Sequence, residues 1–83
     1  MQENDFRMYP NPCAGTLHLS WKGWEKEMVV SIMDMPGRIV YQNNVAPGMD
    51  HVIVPTTVLK PGLYTVQLKS SSGMTTKKLE IIR

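Results

Sequence analysis

The chain has one cysteine, Cys13, and therefore no internal disulfide. A lone cysteine is either a small buried hydrophobe or a free thiol. No His or Lys lies near Cys13 in sequence to activate it, so burial is the expectation. No run of about 18 apolar residues is long enough to span a bilayer. The start, Met1-Gln2-Glu3-Asn4-Asp5, lacks the basic and apolar parts of a signal peptide. That start fits a cytosolic protein or a domain cut from a longer chain with a Met added, and composition does not choose between them. Charge imbalance is small, with a net charge of +2, and Lys77-Lys78 is the only adjacent pair of basic residues. Nucleic-acid binding needs a basic patch, so no such partner is expected. The only histidines are His18 and His51. The one potential ligand beside either is Asp50, and neighbours in a strand point to opposite faces, so no metal site is expected. No nucleophile-elbow motif supports a Ser-His-Asp set. Neither enzymatic activity nor a cofactor is therefore expected.

What is present is a β-rich chain cut by Gly, Pro and Asn. At 83 residues it is one small domain, burying roughly 60–65% of its unfolded surface. Residues 1–5 are polar and read as a linker remnant or a disordered N-terminus, with the domain over 6–83. Phe6-Arg7-Met8-Tyr9 alternates as a short strand. Tyr9-Pro10-Asn11-Pro12 then forms a stiff extended corner, because two prolines remove two backbone donors. Thr16 to Trp21 alternates, with Leu17, Leu19 and Trp21 on one face. Lys22 to Glu27 is a charged connection.

Met28 to Tyr41 reads as two strands around a turn. Met35-Pro36-Gly37-Arg38 fits a type II turn, with Asp34 and Arg38 placed to pair across it. Asn43-Asn44 and Ala46-Pro47-Gly48-Met49 mark the next break, the latter again a type II turn. His51 to Val54 is a strand ended by Pro55, and Leu59 plugs the core from the following connection. Lys60-Pro61-Gly62-Leu63 reads as a third Pro-Gly turn. Leu63 to Lys69 and Met74 to Ile82 are strands joined by Ser70-Ser71-Ser72-Gly73.

No segment has a helical period. About seven short strands at this spacing predict an all-β, antiparallel β-sandwich. The predicted core is Leu17, Leu19, Val30, Ile32, Val40, Val52, Val54, Leu59, Tyr64, Val66, Leu68, Leu79 and Ile81. Each, fully buried, contributes on the order of 1.5–3 kcal/mol before chain entropy is counted.

Four motifs appear in order: Tyr9-Pro10-Asn11-Pro12 with Gly15 close behind, Asp34-Met35-Pro36-Gly37-Arg38-Ile39-Val40, Leu59-Lys60-Pro61-Gly62-Leu63-Tyr64, and Lys77-Lys78-Leu79. Together they resemble the type A C-terminal sorting domain of the type IX (Por) secretion system of Bacteroidetes. Its pattern runs Y-P-N-P, D-x-x-G-R-x-V, L-x-x-G-x-Y, then a late basic residue. Lys78 matches the last better than Lys77. The resemblance covers about residues 6 to 83. Trp21 and Trp24 have no counterpart in the pattern, and the strand before Asp34 is unusually Met-rich.

The resemblance implies a seven-stranded Ig-like β-sandwich at the extreme C-terminus of a larger cargo protein. It implies passage from the periplasm through the outer-membrane translocon with the help of shuttle proteins. A sortase-like cysteine peptidase then removes the domain, and the cargo is anchored at the surface or released. The missing signal peptide would lie at the far end of the full protein, and Ile82-Arg83 suits a natural C-terminus. Most motif residues (Tyr9, Pro10, Asn11, Pro12, Gly15, Asp34, Gly37, Arg38, Val40, Leu59, Gly62, Tyr64) have structural reasons to be present, with Tyr9 and Tyr64 expected to fill the core. Recognition by the machinery falls to exposed residues of the last hairpin: Lys69, Ser71, Lys77, Lys78, Glu80 and Arg83. A partner could read a sheet edge there by strand addition, and an exposed edge could also dimerise the domain.

A reading from another class is an Ig-like accessory module that binds carbohydrate or a neighbouring domain in an extracellular protein. Only Trp21 and Trp24 favour it, as a sugar-stacking platform. The plainer expectation puts Trp21 in the core and Trp24 over a loop.

Overall fold

A computed structural model of the chain describes residues 6–21, 26–71 and 73–82. Residues 1–5, which the sequence assigns to a linker remnant or a disordered N-terminus, residues 22–25 with Trp24, Ser72 and Arg83 lie outside the described residues. Seven strands follow in order: β1 (Phe6–Tyr9), β2 (Thr16–Trp21), β3 (Met28–Asp34), β4 (Ile39–Val45), β5 (His51–Pro55), β6 (Gly62–Ser70) and β7 (Gly73–Ile81). They form a three-stranded sheet, β1-β2-β5, and a four-stranded sheet, β4-β3-β6-β7. All named pairs are antiparallel. The fold is the expected Ig-like β-sandwich, with no helix among the described residues.

Period-two patterning places the core between the sheets. Leu17, Leu19, Trp21 and Val54 line one sheet, and Val30, Ile32, Val66, Leu68, Leu79 and Ile81 line the other, all buried. Cys13 is fully buried, as its sequence context implied. Phe6, Met28 and Val45 join the core although the sequence pattern did not select them, while Val52 sits half-buried against it.

Val40 is a correction: it is 38% exposed. Ile32 pairs with Tyr41, but Met33 pairs with Ile39, so Val40 is the extra residue of a bulge. A bulge reverses the facing of one position, and Tyr41 takes the inward place instead. Asn43 and Asn44 are also corrected. They lie inside β4, opposite Val30 and Val29, because ladder pairing along the sheet edge outweighs their turn preference.

The Pro-Gly turns divide. At Pro47-Gly48 the Met49 N–H donates to Ala46 O at 3.3 Å and Gly48 has φ +87°, as the motif predicted. The central turn closes one residue early: Gly37 N–H donates to Asp34 O at 2.9 Å, which puts Pro36 third rather than second. A bond from Asp34 N–H to Arg38 O at 2.9 Å completes a three-residue loop, with Gly37 at φ +97°. The Asp34 carboxylate accepts the Arg38 backbone N–H at 2.8 Å and its Nε at 3.0 Å. Arg38 is 78% exposed along its side chain, so the ion pair contributes only about 0–1 kcal/mol, and the backbone cap does more to fix the loop.

The third expected turn, Lys60 to Leu63, is replaced. The turn sits at Thr56–Leu59, closed at 3.0 Å, and Gly62 is the first residue of β6, opposite Ile81. Leu59 plugs the core, and Tyr64, buried, donates its hydroxyl to Lys60 O at 2.5 Å. This is the tyrosine corner of Ig-like sandwiches. Tyr64→Phe should keep the fold but cost about 1–2 kcal/mol for the orphaned carbonyl. Thermal unfolding should show a Tm fall of about 4–8 °C per kcal/mol; an unchanged Tm would remove the corner from the account.

Candidate recognition site

The last hairpin, β6–β7, pairs in regular register from Gly62↔Ile81 to Ser70↔Gly73. β7 is an edge strand, yet half of that edge is covered by the N-terminal motif. After β1 the chain leaves its own sheet and runs along β7. Asn11 Nδ2 donates to Lys78 O at 3.2 Å, and Glu80 N–H donates to Asn11 Oδ1 at 3.1 Å. Two residues on, Cys13 N–H donates to Glu80 O and Ile82 N–H donates to Cys13 O, both at 2.8 Å, forming a parallel bridge opposite Ile81.

Pro10 and Pro12 have no N–H to offer, so the Asn11 side-chain amide supplies both donor and acceptor, standing in for a peptide group. The peptide bonds before both prolines are cis. Farther on, Gly15 O accepts the Thr56 N–H at 2.8 Å and the Thr56 hydroxyl at 2.5 Å, and Thr56 Oγ1 lies 3.4 Å from Cys13 Sγ. This anchors the motif to the segment after β5. The sequence marked Asn11 as part of a corner. The signal that could have found its role is a polar amide between two donorless residues.

Tyr9 does not fill the core: it is 48% exposed. Its ring stacks on His18 at 5.2 Å between centroids, and His18 stacks on His51 at 5.6 Å. Aromatic edges on the outer face of a small sheet are satisfied by such stacking. Among the described residues no group of three or more His, Cys, Asp or Glu is placed to hold a metal.

The candidate machinery contacts do not converge. Lys69 and Ser71 are exposed at the tip end of the hairpin, and Lys78 and Glu80 are exposed on β7. Lys77 points to the inner face, with its ammonium 5.7 Å above the Phe6 ring. Beside it an open groove of about 510 Å³ is lined by Phe6, Arg7, Met8, Tyr9 and Lys77, running between the β1 and β7 edges.

The carbohydrate platform loses one of its two residues. Trp21 is buried, and its indole N–H donates to Met49 O at 2.9 Å, so its face is not available to a sugar. A second concavity, on the outer face of the four-stranded sheet, is lined by Ser31, Gln42, Gln67, Lys69 and neighbours without any aromatic ring.

Asn11→Ala removes both edge bonds, which are exposed to water. It should destabilise the domain by about 1 kcal/mol in urea unfolding, with Asn11→Asp, which keeps the acceptor, intermediate. Equal stability of all three proteins would show that the amide clamp is incidental.

No curated protein matches the chain closely enough to count as a relative. One family does match, described as the secretion system C-terminal sorting domain, and it spans residues 7–82, from β1 to the residue bonded to Cys13 at the end of β7. A match over nearly the whole described fold, joined to a β-sandwich whose first motif is locked onto its last strand, places this chain in the family of type IX secretion C-terminal sorting domains.

Proposed function

We propose that this domain, from Phe6 onward, is an address label at the end of a cargo protein, read in the periplasm by shuttle proteins and the type IX translocon. A sortase-like cysteine peptidase then cuts in the linker before Phe6, and the cargo is anchored to the outer surface or released. The family match over residues 7–82 carries this reading, since the family consists of sorting signals rather than catalysts. The last hairpin supplies the exposed determinants, Lys69, Lys78 and Glu80 among them, and Arg83 is included because it follows the same strand. Lys77 contributes less to direct contact, because its chain turns inward over Phe6.

The test is export. A signal peptide and a fluorescent reporter are fused ahead of residues 1–83 in a Bacteroidetes host, beside a version ending at Ser71. The intact fusion should reach the surface or medium, and the truncated one should stay in the periplasm. Lys78→Ala, checked by circular dichroism to be folded, should lower the exported fraction. A folded intact fusion held in the periplasm would contradict the reading.

A further inference from the structure

We propose that Met74 to Lys78 of β7 is the docking edge, and that it takes an extended segment of alternating apolar and acidic residues from the export machinery as a fifth strand of the four-stranded sheet. This rests on the export-signal reading and names the surface through which it acts.

The geometry of β7 defines the edge. Glu80 turns both its N–H and its C=O outward, to Asn11 and Cys13. In an antiparallel ladder that orientation repeats every second residue, so Lys78, Thr76 and Met74 face the same way. The Lys78 carbonyl is taken by Asn11. The outward main-chain groups of Met74 and Thr76 have no hydrogen-bond partner among the described residues. The fold itself already adds an extended segment to the upper part of this edge, at Asn11 and Cys13. The open part continues that line in unbroken register.

The other edges are blunted. β1 has four residues and is followed at once by Pro10, β5 has five and ends in Pro55, and β4 is bulged at Val40. Bulges, prolines and short length are the devices that keep an edge from pairing. β7, with nine residues and no bulge in its pairing to β6, lacks them on its open half.

Side chains specify the occupant. An added strand would turn alternate residues into the groove beside Phe6 and Met8, which favours apolar groups there. Its other residues would lie on the outer face beside Thr76 and Lys78, with Lys69 one strand in, opposite Met74. Arg7 and Lys77 line the groove. The one acid on the strand, Glu80, sits within the Asn11 clamp, past the open stretch. Lysines flanking an edge repel a basic strand and attract an acidic one.

Two arms test this. In the export assay, Thr76→Pro deletes an outward N–H while leaving the β6–β7 ladder bonds in place, and Lys69→Glu with Lys78→Glu reverses the charge without touching the main chain. Both should lower export about tenfold or more, the equivalent of one main-chain bond, with the wild-type fold retained by circular dichroism. The charge variant decides alone if the proline variant does not fold. In solution, an eight-residue Val-Glu repeat peptide should shift the amide NMR signals of Met74 to Lys78 in the 83-residue chain. A Val-Lys repeat should not, and Thr76→Pro should abolish the effect. Normal export of the folded variants overturns the docking edge and leaves the sorting reading intact, whereas failure of the wild-type fusion overturns the sorting reading itself. Peptide shifts centred on β4 or β5 overturn the choice of edge. Dimerisation in sedimentation that Thr76→Pro removes would assign the edge to a second copy and overturn the acidic partner.

Discussion

The arrangement depends on how the last strand is held. β7 receives a full ladder from β6 on one side, and on the other it is gripped near its end by a segment from the opposite end of the chain. Loop closure across 69 residues of separation costs entropy only logarithmically, and the return is that both sheets are tied at one corner. β1 belongs to the three-stranded sheet, and the residues just after it belong in effect to the four-stranded one. Without that crossing, the sandwich would have an open seam along its β1–β7 side. Packing there rests on Phe6 beneath the Lys77 side chain and on Cys13 against Thr56.

The same constraint divides the edge into a closed half and an open half. A fully open last strand would be a template for uncontrolled pairing, and a fully closed one would offer no main chain to read. With Asn11 and Cys13 covering Lys78 O to Ile82 N, pairing is confined to a short stretch of defined register. A sorting signal acts by being recognised rather than by catalysis. A short piece of sheet edge with a charge bias suits that task, because main-chain bonds give affinity without demanding a pocket. The tyrosine corner and the Asp34–Arg38 loop play no part in this surface. They set the start of β6 and the end of β3, the strands that carry β7.

Much of this was legible in the residues. Alternation in β2 and β6 gave the correct inward faces, because both strands are regular and half-buried, and Trp21 followed the same rule. Val40 was misplaced because a bulge breaks the period that the inference relied on. Asn43 and Asn44 were read as a break because local turn preference says nothing of the ladder that holds them in β4. The Lys60-Pro61-Gly62-Leu63 motif looked like a turn, whereas its role is to lead into a strand whose Tyr64 hydroxyl bonds back to Lys60. Tyr9 looked like core and stacks outside on His18. An exposed edge at the last hairpin was legible, but its partial closure was not, since the contact of Asn11 with Lys78 and Glu80 is long-range and depends on two sheets meeting. The order of four motifs pointed to the family, but no single motif pointed to the clamp.

The most direct test of this account is native-state amide hydrogen exchange along β7 in the isolated chain. The clamp predicts slow exchange at Glu80 and Ile82, whose N–H groups are bonded to Asn11 and Cys13. It predicts fast exchange at Met74 and Thr76, which face outward on the same strand with no such cover. If Glu80 and Ile82 exchange as fast as Met74 and Thr76, the N-terminal motif does not close the edge, and both the half-open strand and the docking site built on it are wrong.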